Sequence, residues 1–365
     1  MSTAFIFRGN GPGECTLESP PRMKSNSLLA ALAVCAFASF GAAQSVSSDV
    51  VSLGTLGSKG CQNSDNPPTL SDGTHATADI GYSFDRTTQR LTLTVANTSP
   101  VTPGVQNPLI TEIFFNIPDL AVNGATLVSQ TAGGGATPNF GLTLDLNTIA
   151  NPKPNNVGCF GSFGAKLAKS GGGIQGGIAN PAADNPAGPT SATVIGPVVF
   201  VIEFTGSGVQ NLTADAFSRV LSYKSNGQAS NAAAKFQGGA AGGSGFIGNA
   251  FDCSAAGWVI GEPVVGGTLT IVMEGTPGCY GCFVVSADPG PAIFDGILMP
   301  VGFPWLALNS QAFTFPGQRF EQSFVIPNDP AFVNLTLYGA VGLADSATQS
   351  VFSITQQIVI TILAN

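Results

Sequence analysis

Residues 76–100, ATADIGYSFDRTTQRLTLTVANTSP, alternate apolar and polar side chains on both sides of a short polar break. Ala78, Ile80, Tyr82 and Phe84 fall on one face, and Thr77, Asp79, Gly81 and Ser83 on the other. After Asp85–Arg90 the alternation resumes, with Leu91, Leu93 and Val95 opposed to Thr92, Thr94 and Ala96. A period of two in β-branched and aromatic residues around a polar break predicts a two-stranded antiparallel hairpin. Such a hairpin, apolar on one face, is marginal alone and needs further strands to cover it. The chain is therefore expected to be all-β, built of layered sheets.

Composition agrees. With 47 Gly and 25 Pro, turns are many and helices are interrupted, and charged residues make up only 9% of the chain. Ser, Thr, Asn, Gln and Gly must then cover most of the surface, as suits an extracellular β protein. The net charge of −8 disfavours nucleic acid and anionic membranes as partners, because both recruit clustered Lys and Arg.

The N-terminus reads as an export signal. Met23-Lys24 precedes the apolar run LLAALAVCAFASF, and Gly41-Ala42-Ala43 supplies small residues for cleavage before Gln44. Residues 23–43 are read as a signal peptide and 1–22 as a mis-assigned extension, leaving no stable membrane span in the mature protein. Five cysteines follow: Cys61, Cys159, Cys253, Cys279 and Cys282. In an oxidising compartment disulfides are the default, and an odd number leaves at least one thiol unpaired within the chain. The expectation is Cys279 with Cys282, plus one pair among Cys61, Cys159 and Cys253.

Outward from the hairpin, QSVSSDVVSLGTL (44–56) predicts a first strand, and LITEIFFNIP (109–118) a strand with Leu109, Ile113, Phe115 and Ile117 on one face. Ala125–Ser129 and Phe140–Leu146 predict short strands separated by a Gly-rich turn. Residues 150–190 show no period and need a pin, for which Cys159 is the candidate. VIGPVVFVIEF (194–204) predicts a strand buried on both faces. LTADAFSRVLS (212–222) is the best helix candidate, and Gly267–Glu274 the last strand of a first domain. EGTPGCYGC (274–282) reads as a boundary. The expected organisation is two antiparallel β-sandwich domains of jelly-roll or Ig-like type, 44–275 and 283–365, joined by a linker at 276–282.

Sites of chemistry are few. Cys279-Tyr280-Gly281-Cys282 precedes a strand rather than a helix, so a structural disulfide is expected over a redox site. Structural zinc would need four ligands, and the sole histidine, His75, is remote. Its loop position reads as a solvated turn. Asn63, Asp65 and Asp72 form an oxygen-rich loop that suits calcium, without the spacing of a defined calcium loop. Asp79, Glu112, Asp145 and Glu203 could act in pairs, as the two acids of a glycoside hydrolase do. Trp258 and Trp305 could stack on sugars.

Two resemblances follow from particular stretches. YSFDRTTQRLTLTVANTSP, ITEIFFNIP and NAAAKFQGGAAGGSGFIGNAF make residues 77–275 similar to exosortase-associated (PEP-CTERM type) secreted surface proteins. SFVIPNDPAFVNLTLYGAVGLAD makes residues 276–365 resemble C-terminal modules of planctomycete-like secreted proteins. Neither implies a catalytic residue set. The chain ends in IVITILAN, without the Pro-Glu-Pro motif, membrane stretch and basic tail of the sorted proteins, so free secretion is expected. The resulting expectation is a secreted, non-catalytic structural or adhesive protein of a cell surface or matrix, without a required cofactor. The alternatives are a module binding extracellular polysaccharide or other surface proteins and, behind it, a carboxylate-dependent hydrolase.

Overall fold

The computed structural model describes residues 46–365 apart from 56–57, 59, 62–64, 66, 119–120, 147–154, 172, 189–192, 223–229, 250–254, 276–278, 295–296, 303–304, 313–318, 346–350 and 356. The expected extension (1–22) and signal peptide (23–43) lie outside the described residues. Up to residue 250 the strands are β1 (Val46–Leu53), β2 (Ala78–Asp85), β3 (Arg90–Asn97), β4 (Leu109–Phe115), β5 (Gly124–Gly135), β6 (Phe140–Leu144), β7 (Asn156–Val157), β8 (Gly161–Ser162), β9 (Ala165–Lys169), β10 (Ile178–Ala179), β11 (Val194–Thr205), β12 (Ala232–Gln237) and β13 (Ser244–Gly248).

The hairpin forms in the expected register, from Ala78 opposite Asn97 to Asp85 opposite Arg90. Its apolar residues are buried and its polar ones half-buried. β1 adds to one edge and β11 to the other, and β5 pairs with β11 along its length. This gives a front layer β1-β2-β3-β11-β5. A back layer, β13-β12-β4-β9-β6, pairs antiparallel throughout. The two-residue β10 bridges β11 and β4 and makes the corner. At the far edges the Gln130 side chain accepts from Phe140 N at 2.8 Å and donates to Phe140 O at 3.2 Å. Side chains from both inner faces fill one core, as in a sandwich; Phe140 meets Phe200 edge-on across it, with ring centroids 5.3 Å apart.

Four local expectations change on folding. Leu109 leaves the core face and joins Ala179 and Ala187, while Ile110 enters the core. The cause is a bulge between the pairs Lys235/Glu112 and Phe236/Ile110, which shifts the alternation by one residue. β11 is buried on one face only, its outward residues being exposed or half-buried; Ile195 is 37% exposed. The Gly-rich residues after Ala132 do not end β5, which runs on to Gly135 against β11. Of the expected helix only Asp215–Ser218 is helical, although Phe217, Val220 and Leu221 are buried as the pattern implied.

The remaining strands are β14 (Ala255–Ile260), β15 (Thr268–Gly275), β16 (Cys279–Ser286), β17 (Ala292–Phe294), β18 (Ile297–Met299), β19 (Trp305–Ala312), β20 (Arg319–Val325), β21 (Thr336–Asp345), β22 (Val351–Ile354) and β23 (Ile358–Thr361). They form a three-stranded sheet, β14-β15-β20, a five-stranded sheet around β16 and β21, and the hairpin β17-β18. The sheets do not divide at the expected linker. β15 pairs with β20 rather than with the first sandwich, and Cys279–Cys282 lie inside β16.

The reason is that the β14-β15 layer has two apolar faces. Ala256, Trp258 and Val272 enter the large core, whereas Val259, Ile271 and Met273 pack with Phe283, Val341, Ile358 and Ile360 in the second. One layer thus serves both cores, and all described residues belong to one compact unit. Arg86, at the hairpin tip, ties the same junction: it donates to Leu212 O at 3.1 Å and Gln357 O at 2.9 Å. Burial holds its guanidinium down at about 10, with Asp215 opposing. No helix among the described residues is long and apolar enough to cross a membrane.

Candidate functional site

The cysteines settle part of the expectation. Cys61 pairs with Cys159 across 98 residues, with Cα atoms 5.4 Å apart. The bond belongs in an oxidising compartment and pins the otherwise aperiodic stretch before β9. Cys253 and the side chain of Cys279 lie outside the described residues. The expected Cys279–Cys282 bond conflicts with β16, since three steps along a strand separate Cα atoms by about 10 Å, beyond the roughly 7 Å a disulfide spans.

The oxygen-rich loop is not gathered into a ligand set. Asn63 lies outside the described residues, and Asp65 accepts from Thr69 Oγ1 at 2.6 Å. Asp72 instead clasps the β12–β13 turn: its Oδ2 accepts from Ala241 N at 2.9 Å and Gly243 N at 2.8 Å, and Oδ1 from Thr74 N at 3.1 Å. Gly239 is required beside it, because a Cβ there would sit 2.6 Å from Oδ2. Burial pushes the Asp72 carboxyl up, but the Ala241 N–H, the Thr74 side chain and the Thr74 and Gly243 N–H groups outweigh it and hold it at about 2. A carboxylate satisfied by N–H donors is a structural cap for a turn. Among the described residues no group of three or more His, Cys, Asp or Glu could hold a metal ion.

The four acids considered for paired catalysis are dispersed. Glu203 is opposite Arg90 and bonded to it at 2.8 and 2.9 Å, while Asp79 is opposite Ala96 and accepts from Ser52 Oγ at 2.7 Å. Arg90 and Ala96 are six steps apart on β3, about 20 Å. Glu112 lies on the back layer, beyond the corner strand β10 from the β11 that carries Glu203. Asp145 is buried. His75 is exposed, as a turn residue should be, and Trp258 is fully buried in the core rather than offered for stacking. The Trp305 side chain lies outside the described residues.

The structure does bring together two lysines that the sequence reading did not group. Glu112 of β4 sits between Lys166 of β9 and Lys235 of β12 on the outer face of the back layer. Lys235 Nζ is 2.8 Å from Glu112 Oε1 and Lys166 Nζ is 4.0 Å from Oε2. Lys235 also lies over the Phe246 ring, 5.6 Å from its centroid, a contact that holds its ammonium in place. Lys169, at the end of β9, donates to Gly171 O at 2.9 Å. Burial lowers its pKa most; Glu112 opposes that and Lys235 adds to it, so all three groups share one field.

Lys166, Lys235 and Glu112 sum to +1 on a chain of −8. Beside them Phe114, Phe160, Phe163 and Ala233 form a small apolar cluster under the Cys61–Cys159 loop. The available signal was weak: AKLAK lay in the stretch read as aperiodic, and no local spacing connects it with Lys235.

No family model matches the chain, and no curated protein matches it. A solved structure titled BspA_C_WT is similar over 74% of this chain and 93% of its own length, at 9% identity and a TM-score of 0.18. A likeness that distant carries no argument about fold or function.

Proposed function

We propose that the protein is a secreted, non-catalytic structural or adhesive component of a bacterial cell surface or extracellular matrix. The resemblance to exosortase-associated surface proteins points the same way, and the disulfide fits export. The observation that carries the reading is the separation and engagement of the carboxylates. Glu112 and Glu203 are each paired with cations, and Asp72 is spent on a turn. The chemistry on the surface is recognition chemistry: flat sheet faces with fixed charges.

The test is fractionation of cultures producing the full chain, combined with an assay of the purified protein on a panel of polysaccharides. The protein is expected in the medium or surface fraction, and without turnover. Hydrolysis of any panel member that Glu112→Gln or Glu203→Gln abolishes would overturn the reading in favour of a hydrolase. Binding of extracellular polysaccharide is the second reading, and the lysine cluster of the back layer favours it.

A further inference from the structure

We infer that the outer face of β9-β4-β12 docks an acidic polysaccharide, whose carboxylate or sulfate groups pair with Lys166 and Lys235. The inference rests on the proposed extracellular role and names the ligand class for it.

Three observations support it independently of that role. First, the charge is local: on a polypeptide of −8, a focused positive face attracts an anionic chain while the remaining surface repels one that spreads beyond it. Second, the ammonium groups are positioned. Lys235 is held by Glu112 and the Phe246 ring, and Lys166 by Glu112. Groups already ordered lose less entropy on binding than free lysines do. Third, Lys166 and Lys235 stand on strands either side of β4, about 10 Å apart across the sheet. That span suits charges repeating along an extended sugar chain lying across the strands.

Glu112 is the gate to this site. It organises the lysines but also competes with the ligand's anions, so binding is expected to be weak and steeply salt-dependent. A nucleic acid fits worse, since Lys235 covers the Phe246 ring that a base would stack on.

The experiment is titration of the full chain with polygalacturonate, dextran sulfate, neutral dextran and single-stranded DNA, at low salt and at about 0.3 M. Saturable binding to polygalacturonate or dextran sulfate is expected, the two arms separating carboxylate from sulfate recognition, with none to neutral dextran. The double variant Lys166→Gln, Lys235→Gln should bind about tenfold or more weakly, and the Arg versions of both positions should restore it. Glu112→Gln should bind several-fold more tightly, which mere loss of structure would not produce. Arg90→Gln, on the other layer, is the control and should change nothing. No binding to either polyanion, equal binding to DNA, or affinity unchanged in the double variant would overturn the inference. Absence of polyanion binding by a protein still found at the surface defeats this site alone, whereas polysaccharide turnover defeats the non-catalytic reading and leaves the lysine face standing.

Discussion

The front and back layers of the large sandwich share one core, yet their outer faces differ in chemistry. The front face presents Ser48, Ser52, Ser83, Thr92, Thr94, Val199 and Val201, with the Arg90–Glu203 pair at one end. The back face carries Lys166, Glu112 and Lys235, the aromatic cluster of Phe114, Phe160 and Phe163, and the loops closed by Cys61–Cys159. Three of the front strands are neighbours in sequence, so their outer residues only have to be soluble and β-compatible. The back strands come from distant segments, so a disulfide and a second apolar cluster hold the connecting loops against the sheet. What differs is the cost of disturbance. The front face should tolerate substitution, and the back face should not.

The largest test of that contrast is the disulfide. Cys159→Ser, or reduction of the native protein, should cost about 3–4 kcal/mol for a closed loop this long, read as a fall in the denaturant midpoint. Hydrogen exchange should rise first in residues 155–165. Equal protection there with the bond open would mean that the aromatic cluster suffices alone. Next is Phe114→Ala, which empties the centre of that cluster and should cost about 3 kcal/mol. A loss under 1 kcal/mol would show that the back face is no more tightly built than the front.

Asp72 gives a smaller, pH-dependent test. Its folded pKa is depressed to about 2, so its stabilising contribution is full above the ordinary value near 3.8 and is lost as pH falls through about 2. The group is partly solvated, so screening limits the contribution to about 1 kcal/mol. Asp72→Asn should therefore be less stable than the native protein at pH 7, and the gap should close on acidification. A gap independent of pH would place the effect in packing rather than charge. The smallest effect is expected on the front layer. Both partners of Arg90–Glu203 are more than 40% exposed, and Glu203→Gln should cost no more than about 0.5 kcal/mol, falling with salt.

Alternation in the sequence reaches as far as one strand and its hairpin partner. It was enough for the hairpin of β2 and β3 and for the strands β4 and β6. It did not show the bulge that turns Leu109 outward, because a bulge is a relation between two strands rather than a property of one. The domain boundary was misplaced for a similar reason. Pro and Gly at 275–281 mark a break in local structure, and only the packing of Trp258 one way and Val259 the other reveals a shared layer.

By itself the sequence determined that this polypeptide folds into sheets, since a period of two admits no other backbone that buries those residues. It also determined an overall acidic, turn-rich surface. Only the tertiary structure decided that Cys61 meets Cys159, that Glu203 and Asp79 stay apart, and that Lys166 and Lys235 meet on Glu112. Those meetings depend on which strands become neighbours, and neighbour choice is set by how two whole layers close over a common core.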